Sequence, residues 1–212
     1  MKRLALLLAL FALPAGAEPA GAPLAAALGV QIEKPAGDNL HFMQGSGVFL
    51  GGGLILTAAH VVKLNPADQT ATVIMDGWRL TASIAALAPN GLDLALLKID
   101  PAEVSGQRRI LSPVQLCTTP SVANQPVIVA AQGTVSLSKT VASPIQSPAL
   151  TGDWTDILAA GYTHGASGGG VFDASKGCLI GIIIIEATAP GIELTEFLPA
   201  AKIAPFLAAS LH

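Results

Sequence analysis

The sequence predicts an all-β chain built as two halves of similar size. Three observations carry this. Short segments rich in Val, Ile, Leu and Thr recur along the 212 residues, and Gly, Pro, Asn and Asp break them at short intervals. One stretch, "PAEVSGQRRILSP" (101–113), carries charge, proline and glycine with little alternation. The first two are strand-and-turn patterns and the third reads as a connector. Groups of about six strands on either side of a connector predict two antiparallel barrels or sandwiches, with the cleft between them as the default site.

The chain opens on "MKRLALLLALFALPAGAEP", with Lys2 and Arg3 ahead of an apolar run from Leu4 to Leu13 and small residues at Ala15 and Ala17. That order is a secretory signal over residues 1–17, with cleavage after Ala17 or a nearby alanine such as Ala22. No later stretch approaches the ~18 continuous apolar residues of a spanning helix, so no stable membrane insertion is expected after cleavage. The longest such run, Leu179 to Ile185, is interrupted by Gly181. The mature protein, 18–212, is therefore expected in the periplasm or secreted. Loss of Lys2 and Arg3 takes the formal charge from −3 to −5, and the remaining cations are scattered. Nucleic acid is not expected as a partner.

The first half, 18–100, holds the strand candidates "HFMQGSGVFL", "LILTAAHVV", "TATVIMD", "WRLTASIAAL" and "LDLALLKID". The second, 114–212, holds "VQLC", "QPVIVAAQG", "TVSLSKTVAS", "DILAAG", "GGVFD", "CLIGIIII" and "IELTEFLP". The tail "PAAKIAPFLAASLH" has Ile203, Phe206 and Leu207 near helical spacing and predicts a short C-terminal helix. Pro205 argues against an early start, because an interior proline removes a backbone donor. Cys117 and Cys178 are the only cysteines, and an oxidising compartment predicts a disulfide between them. The alternative is two separate buried thiols. Neither lies in a CxxC pattern, so no metal site is expected.

The chemistry converges on "HGASGGGVFD" (164–173), which sets Ser167 among glycines. A neutral serine hydroxyl is a weak nucleophile and needs a base, usually a histidine oriented by a carboxylate. Of the four histidines, His60 in "LTAAHVV" stands at the edge of an apolar element, and Asp93 in "NGLDLALLKI" just precedes another. Burying either unpaired is costly, and Asp93 holding His60 with His60 facing Ser167 satisfies both. The N–H groups of Gly165 and Ser167 supply an oxyanion hole for the charge of a tetrahedral intermediate. His41 reads as a core residue and His212 as a solvated terminus.

Together, "SGVFLGGGLILTAAHVV", "LDLALLKI" and "GASGGGVFD" resemble the His, Asp and Ser segments of trypsin-like serine peptidases of the chymotrypsin fold, nearest in flavour to the bacterial HtrA type. The resemblance covers most of the mature chain. It implies two six-stranded antiparallel β-barrels with the active site between them, and a serine endopeptidase acting on peptide or protein substrates without a cofactor. By that match His60 is general base, Asp93 its orienting acid and Ser167 the nucleophile. The chain departs from the family at Ala166, where many members carry an aspartate that receives a newly cut N-terminus, and at Val61, where a cysteine often follows the histidine. No PDZ-like extension is expected after the peptidase unit. The family position at the base of the primary pocket falls on uncharged Gly161, with Tyr162, His164 and Glu186 as further substrate-binding candidates. Small or medium apolar residues are therefore expected before the scissile bond, and a peptide-library profile dominated by Arg or Lys contradicts this.

Two other readings compete with this one. The same serine fits the G-x-S-x-G elbow of an esterase, but there acid and histidine follow the serine, and only His212 follows Ser167. A non-catalytic binding module of the same fold is marked most simply by loss of a triad residue, and none is lost; that reading stays open through Ala166, if the oxyanion loop is left unsupported, and Tyr162, if it fills the pocket.

Overall fold

The computed structural model describes residues 25, 28–35, 42–63, 69–104, 113–141, 156–158, 161–189 and 192–211. The predicted signal segment, His41, His212 and most of the 101–113 connector lie outside them. The chain folds as two closed antiparallel barrels of six strands each. The first contains β1 (Gly29–Pro35), β2 (Phe42–Gly51), β3 (Leu54–Thr57), β4 (Thr70–Met75), β5 (Trp78–Leu87) and β6 (Ala95–Lys98), closed in the order β1-β2-β3-β6-β5-β4. The second contains β7 (Pro126–Ala131), β8 (Thr134–Val141), β9 (Asp156–Leu158), β10 (Gly170–Asp173), β11 (Leu179–Ala189) and β12 (Ile192–Pro199), closed as β10-β11-β12-β9-β8-β7. A one-turn helix, α1 (Ala59–Val62), follows β3.

Strand faces divide between two apolar clusters. Val171, Ile180, Ile183 and Phe197 fill the second barrel. Phe172, Ile182, Ile184 and Leu198 turn the other way and join a cluster that runs through the first barrel. β10 and the 179–184 part of β11 are thus buried on both faces, which explains why that stretch reads as a continuous apolar run rather than an alternation. The same cluster reaches Ile203 and Phe206 of the C-terminal helix, α2 (Ala200–Ser210). That helix starts directly after Pro199 and carries Pro205 inside it. The Ala201 carbonyl that Pro205 cannot serve lies on an exposed residue and can turn to water.

Two sequence readings need correction. "VQLC" is not a strand: Leu116 makes one isolated parallel bridge to Leu179. Pro113 and Pro120 bracket it too closely for a ladder. Conversely β1, "GVQIEKP", is absent from the sequence reading because the third inward position of its alternation is Lys34. Lys34 is fully buried, and its ammonium donates to the Val62 carbonyl at the end of α1. The Cys117–Cys178 disulfide is formed and ties the segment before β7 to the turn before β11.

That turn is organised by Asp173 at the end of β10. Its Oδ1 accepts from the Ser175 N–H and hydroxyl and the Lys176 N–H, and its Oδ2 from Gln125. Burial acts to raise its pKa, but these hydrogen bonds outweigh it and hold the carboxyl below its ordinary value of 3.8. A depressed folded-state pKa contributes stability above the unfolded value, and that stability is lost as pH falls through the lowered one. Asp173→Asn therefore lowers the melting temperature at neutral pH and flattens its decline below about pH 4. Parallel acid limbs for the two proteins contradict this.

Candidate active site

His60 lies on α1 at the rim of the first barrel, and Asp93 lies in the loop entering β6. The two are joined twice. Asp93 Oδ1 accepts the His60 backbone N–H at 2.8 Å, and Oδ2 meets His60 Nδ1 at 2.6 Å. A carboxylate only accepts, so Nδ1 is the donor and Nε2 of the neutral ring keeps its lone pair. The His60 side chain is 45% exposed and that of Asp93 21%, so the imidazole is held from behind while its far edge is open.

The serine loop comes from the second barrel and is seated on the first. The Ser46 N–H of β2 donates to the Ser167 carbonyl at 2.8 Å. Gly168, at φ +86°, packs so closely that an added Cβ would fall 2.1 Å from the Ser46 carbonyl oxygen and 2.3 Å from Thr57 Oγ1. The chain beside Ser167 therefore touches the residues that lead into α1 and His60. No hydrogen bond links the Ser167 hydroxyl to His60 among the described residues.

The loop's backbone donors divide sharply. Those of Ala166, Gly168 and Gly169 are committed to Thr163, Ile183 and Ala166 carbonyls. Those of Gly165 and Ser167 find no acceptor among the described residues. Both residues are partly exposed, so these two donors, on alternate residues of a tight loop, remain open to solvent or a bound group. Gly165 adopts φ +94° at the third position of a turn closed by the Ala166 N–H and the Thr163 carbonyl, a type II arrangement that suits glycine.

The remaining candidates are placed as follows. Tyr162 donates its N–H to Thr195 Oγ1, and its hydroxyl pairs with Ser136 of β8 at 2.7 Å. Burial raises its phenol above the ordinary pKa, against the lowering effect of the Ser136 hydrogen bond. Its ring packs on the second-barrel cluster and is part of a wall, not a free side chain in the cleft. Gly161 is partly exposed just before it, and His164 is exposed on the turn. Glu186 lies in β11, paired in register with Thr195. Sequence reading missed Ser46, Thr57, Gln132 and Thr195, whose roles depend on partners far along the chain. Among the described residues no cluster of three or more metal-ligating side chains occurs.

A family model described as a trypsin-like peptidase domain matches residues 45–182, from β2, which carries Ser46, into β11, the second strand after the Ser167 loop. No curated protein matches by sequence. Among solved structures, the Rv3671c protease of M. tuberculosis in its active form is similar with TM-score 0.72 at 20% identity, over 92% of this chain and 86% of that one. The HtrA-type protease AlgW, solved with a tripeptide, gives TM-score 0.68 at 24% identity, over 90% of this chain and 62% of that one. A human astrovirus serine protease gives 0.56 at 21% identity, over 82% and 90%.

Proposed function

Because this chain belongs to the trypsin-like peptidase family and is a serine endopeptidase, we propose that Ser167 is its nucleophile, His60 the general base and Asp93 the acid that orients it. The observation that carries this reading is the double hold of Asp93 on His60, through the ring Nδ1 and the backbone N–H. It fixes both tautomer and ring direction, which is what a base that must take a proton and return it requires.

In this mechanism the Ser167 hydroxyl adds to the substrate carbonyl as its proton passes to His60 Nε2. The Asp93 carboxylate stabilises the imidazolium that forms. The carbonyl oxygen becomes an oxyanion held by the N–H groups of Gly165 and Ser167. His60 then gives the proton to the departing amine, and water repeats the sequence on the acyl-enzyme. Export as a periplasmic or secreted enzyme is part of the same proposal, supported by the 1–17 signal pattern and the disulfide. The primary pocket is read as favouring small or medium apolar residues, supported by uncharged Gly161 beside the fixed Tyr162.

The test is labelling of the folded mature protein by a fluorophosphonate probe. Ser167 alone should be labelled, and both Ser167→Ala and His60→Ala should abolish it. A folded wild type that fails to label, or labelling that survives Ser167→Ala, overturns the assignment.

A further inference from the structure

Gln132 closes the turn between β7 and β8 and holds φ +53°, a left-handed conformation that residues with a side chain seldom adopt. From there it makes two long-range bonds. Its backbone N–H donates to Ser46 Oγ at 2.8 Å, and its side-chain Nε2 donates to the His164 carbonyl at 2.6 Å. Ser46, fully buried, then donates its hydroxyl to the Gly165 carbonyl at 2.7 Å. Two successive carbonyls of the oxyanion turn are thus pinned, one by Gln132 and one by Ser46.

The consequence follows from the peptide unit itself. In a trans peptide the C=O and N–H point in opposite directions. Holding the His164 carbonyl toward Gln132 therefore turns the Gly165 N–H to the opposite side, where it finds no acceptor among the described residues. Glycine at position 165 makes this orientation accessible and also makes its reversal cheap, since glycine is stable on either side of φ zero. A flipped peptide would replace the donor by a carbonyl oxygen and repel a developing oxyanion. Something outside the turn must select between the two, and Gln132 is bonded to the group that reports which is present.

We propose that Gln132 is the positioning residue of the oxyanion hole: its side-chain amide holds the His164–Gly165 peptide with the Gly165 N–H facing the substrate, and Ser46 fixes Gln132 and the next carbonyl in register. The proposal rests on the assignment of Ser167 as nucleophile. Gln132 touches no reacting atom, so its loss lowers the rate of the chemical step and spares substrate binding.

The experiment compares Gln132→Ala and Gln132→Glu with wild type for kcat and KM on a peptide substrate, for fluorophosphonate labelling, and for melting temperature. Gln132→Ala removes the selecting bond, and kcat falls about 5- to 10-fold. Gln132→Glu puts a second acceptor against the His164 carbonyl and favours the flipped peptide. Its kcat falls about 100-fold or more, the usual cost of one oxyanion donor. KM stays within about 2-fold and the melting temperature is retained, because the side chain is exposed. A crystal structure of Gln132→Glu should show the 164–165 peptide rotated, with the Gly165 N–H on the introduced carboxylate. Wild-type kcat in Gln132→Glu, or a loss expressed in KM alone, overturns the proposal while leaving the nucleophile assignment intact. Failure of the wild type itself to label overturns both.

Discussion

Ser167→Ala lowers kcat on a peptide substrate by about a million-fold, and His60→Ala costs about the same, because each removes a member of a unit that works only when complete. Asp93→Asn falls less far, by about 10^4-fold. The amide keeps the size of the carboxylate, and its oxygen can still accept the His60 backbone N–H. What it cannot do is accept from Nδ1 while carrying the negative charge that favours the imidazolium. If its NH2 faces the ring, it stabilises the tautomer whose proton is on Nε2, the atom that must be empty. The double variant Ser167→Ala, Asp93→Asn should be no slower than Ser167→Ala alone, since both act on one proton transfer. Steady-state rates of the three single variants and the double check this. Additive losses, or an Asp93→Asn protein within ten-fold of wild type, would show that His60 is oriented by something else.

That site was legible in the sequence to the extent that its residues carry local marks. Ser167 stands in a glycine-dense run, and His60 and Asp93 are polar groups set at the ends of apolar strands, where an unpaired group is costly. Their order along the chain separated a peptidase from an esterase. In the first barrel β4 and β5 were visible because one face alternates, while β3 and β6 were visible as short apolar runs bounded by turn residues. What was not legible is what depends on distant partners. Ser46 looks like any small residue in a strand of "QGSGVFL", yet its hydroxyl reaches Gly165 across 119 residues of chain. Gln132 sits in an ordinary "QG" hairpin turn, and only its distance to His164 gives it a role. β1 was hidden by Lys34, whose burial is made tolerable by the Val62 carbonyl, a partner no local pattern announces. Strand segments ending in special contacts are the ones that periodicity reads least well.

Gly168→Ala should be the most damaging glycine-to-alanine change among the described residues. Two costs add there. A left-handed backbone with a side chain costs about 1–3 kcal/mol. The new Cβ would also meet the Ser46 carbonyl oxygen at 2.1 Å and Thr57 Oγ1 at 2.3 Å. Both are held by a network in which Thr57 Oγ1 donates to that same carbonyl, so neither can simply rotate away. Overpacking of a fixed site adds about 1–3 kcal/mol. The sum, about 2–6 kcal/mol, is a large share of the ~5–15 kcal/mol that stabilises a typical domain, and at about 2–4 °C per kcal/mol for a chain of this length it should lower the melting temperature by roughly 5–25 °C. The clash lies between Ser167 and the residues leading to His60, so relief moves the nucleophile away from its base. Activity should therefore fall at least 1000-fold even in the fraction that remains folded. Gly77→Ala is the control: Gly77, in the turn between β4 and β5, has φ +79° but nothing within 4 Å of an added Cβ. It carries the backbone cost without the clash and should lose only about 1–3 kcal/mol, with kcat unchanged. Calorimetry and kcat for the pair decide the matter. Equal melting losses with activity kept in both would mean that the loop relaxes freely at Gly168, and that the contact between the barrels does not set the position of Ser167.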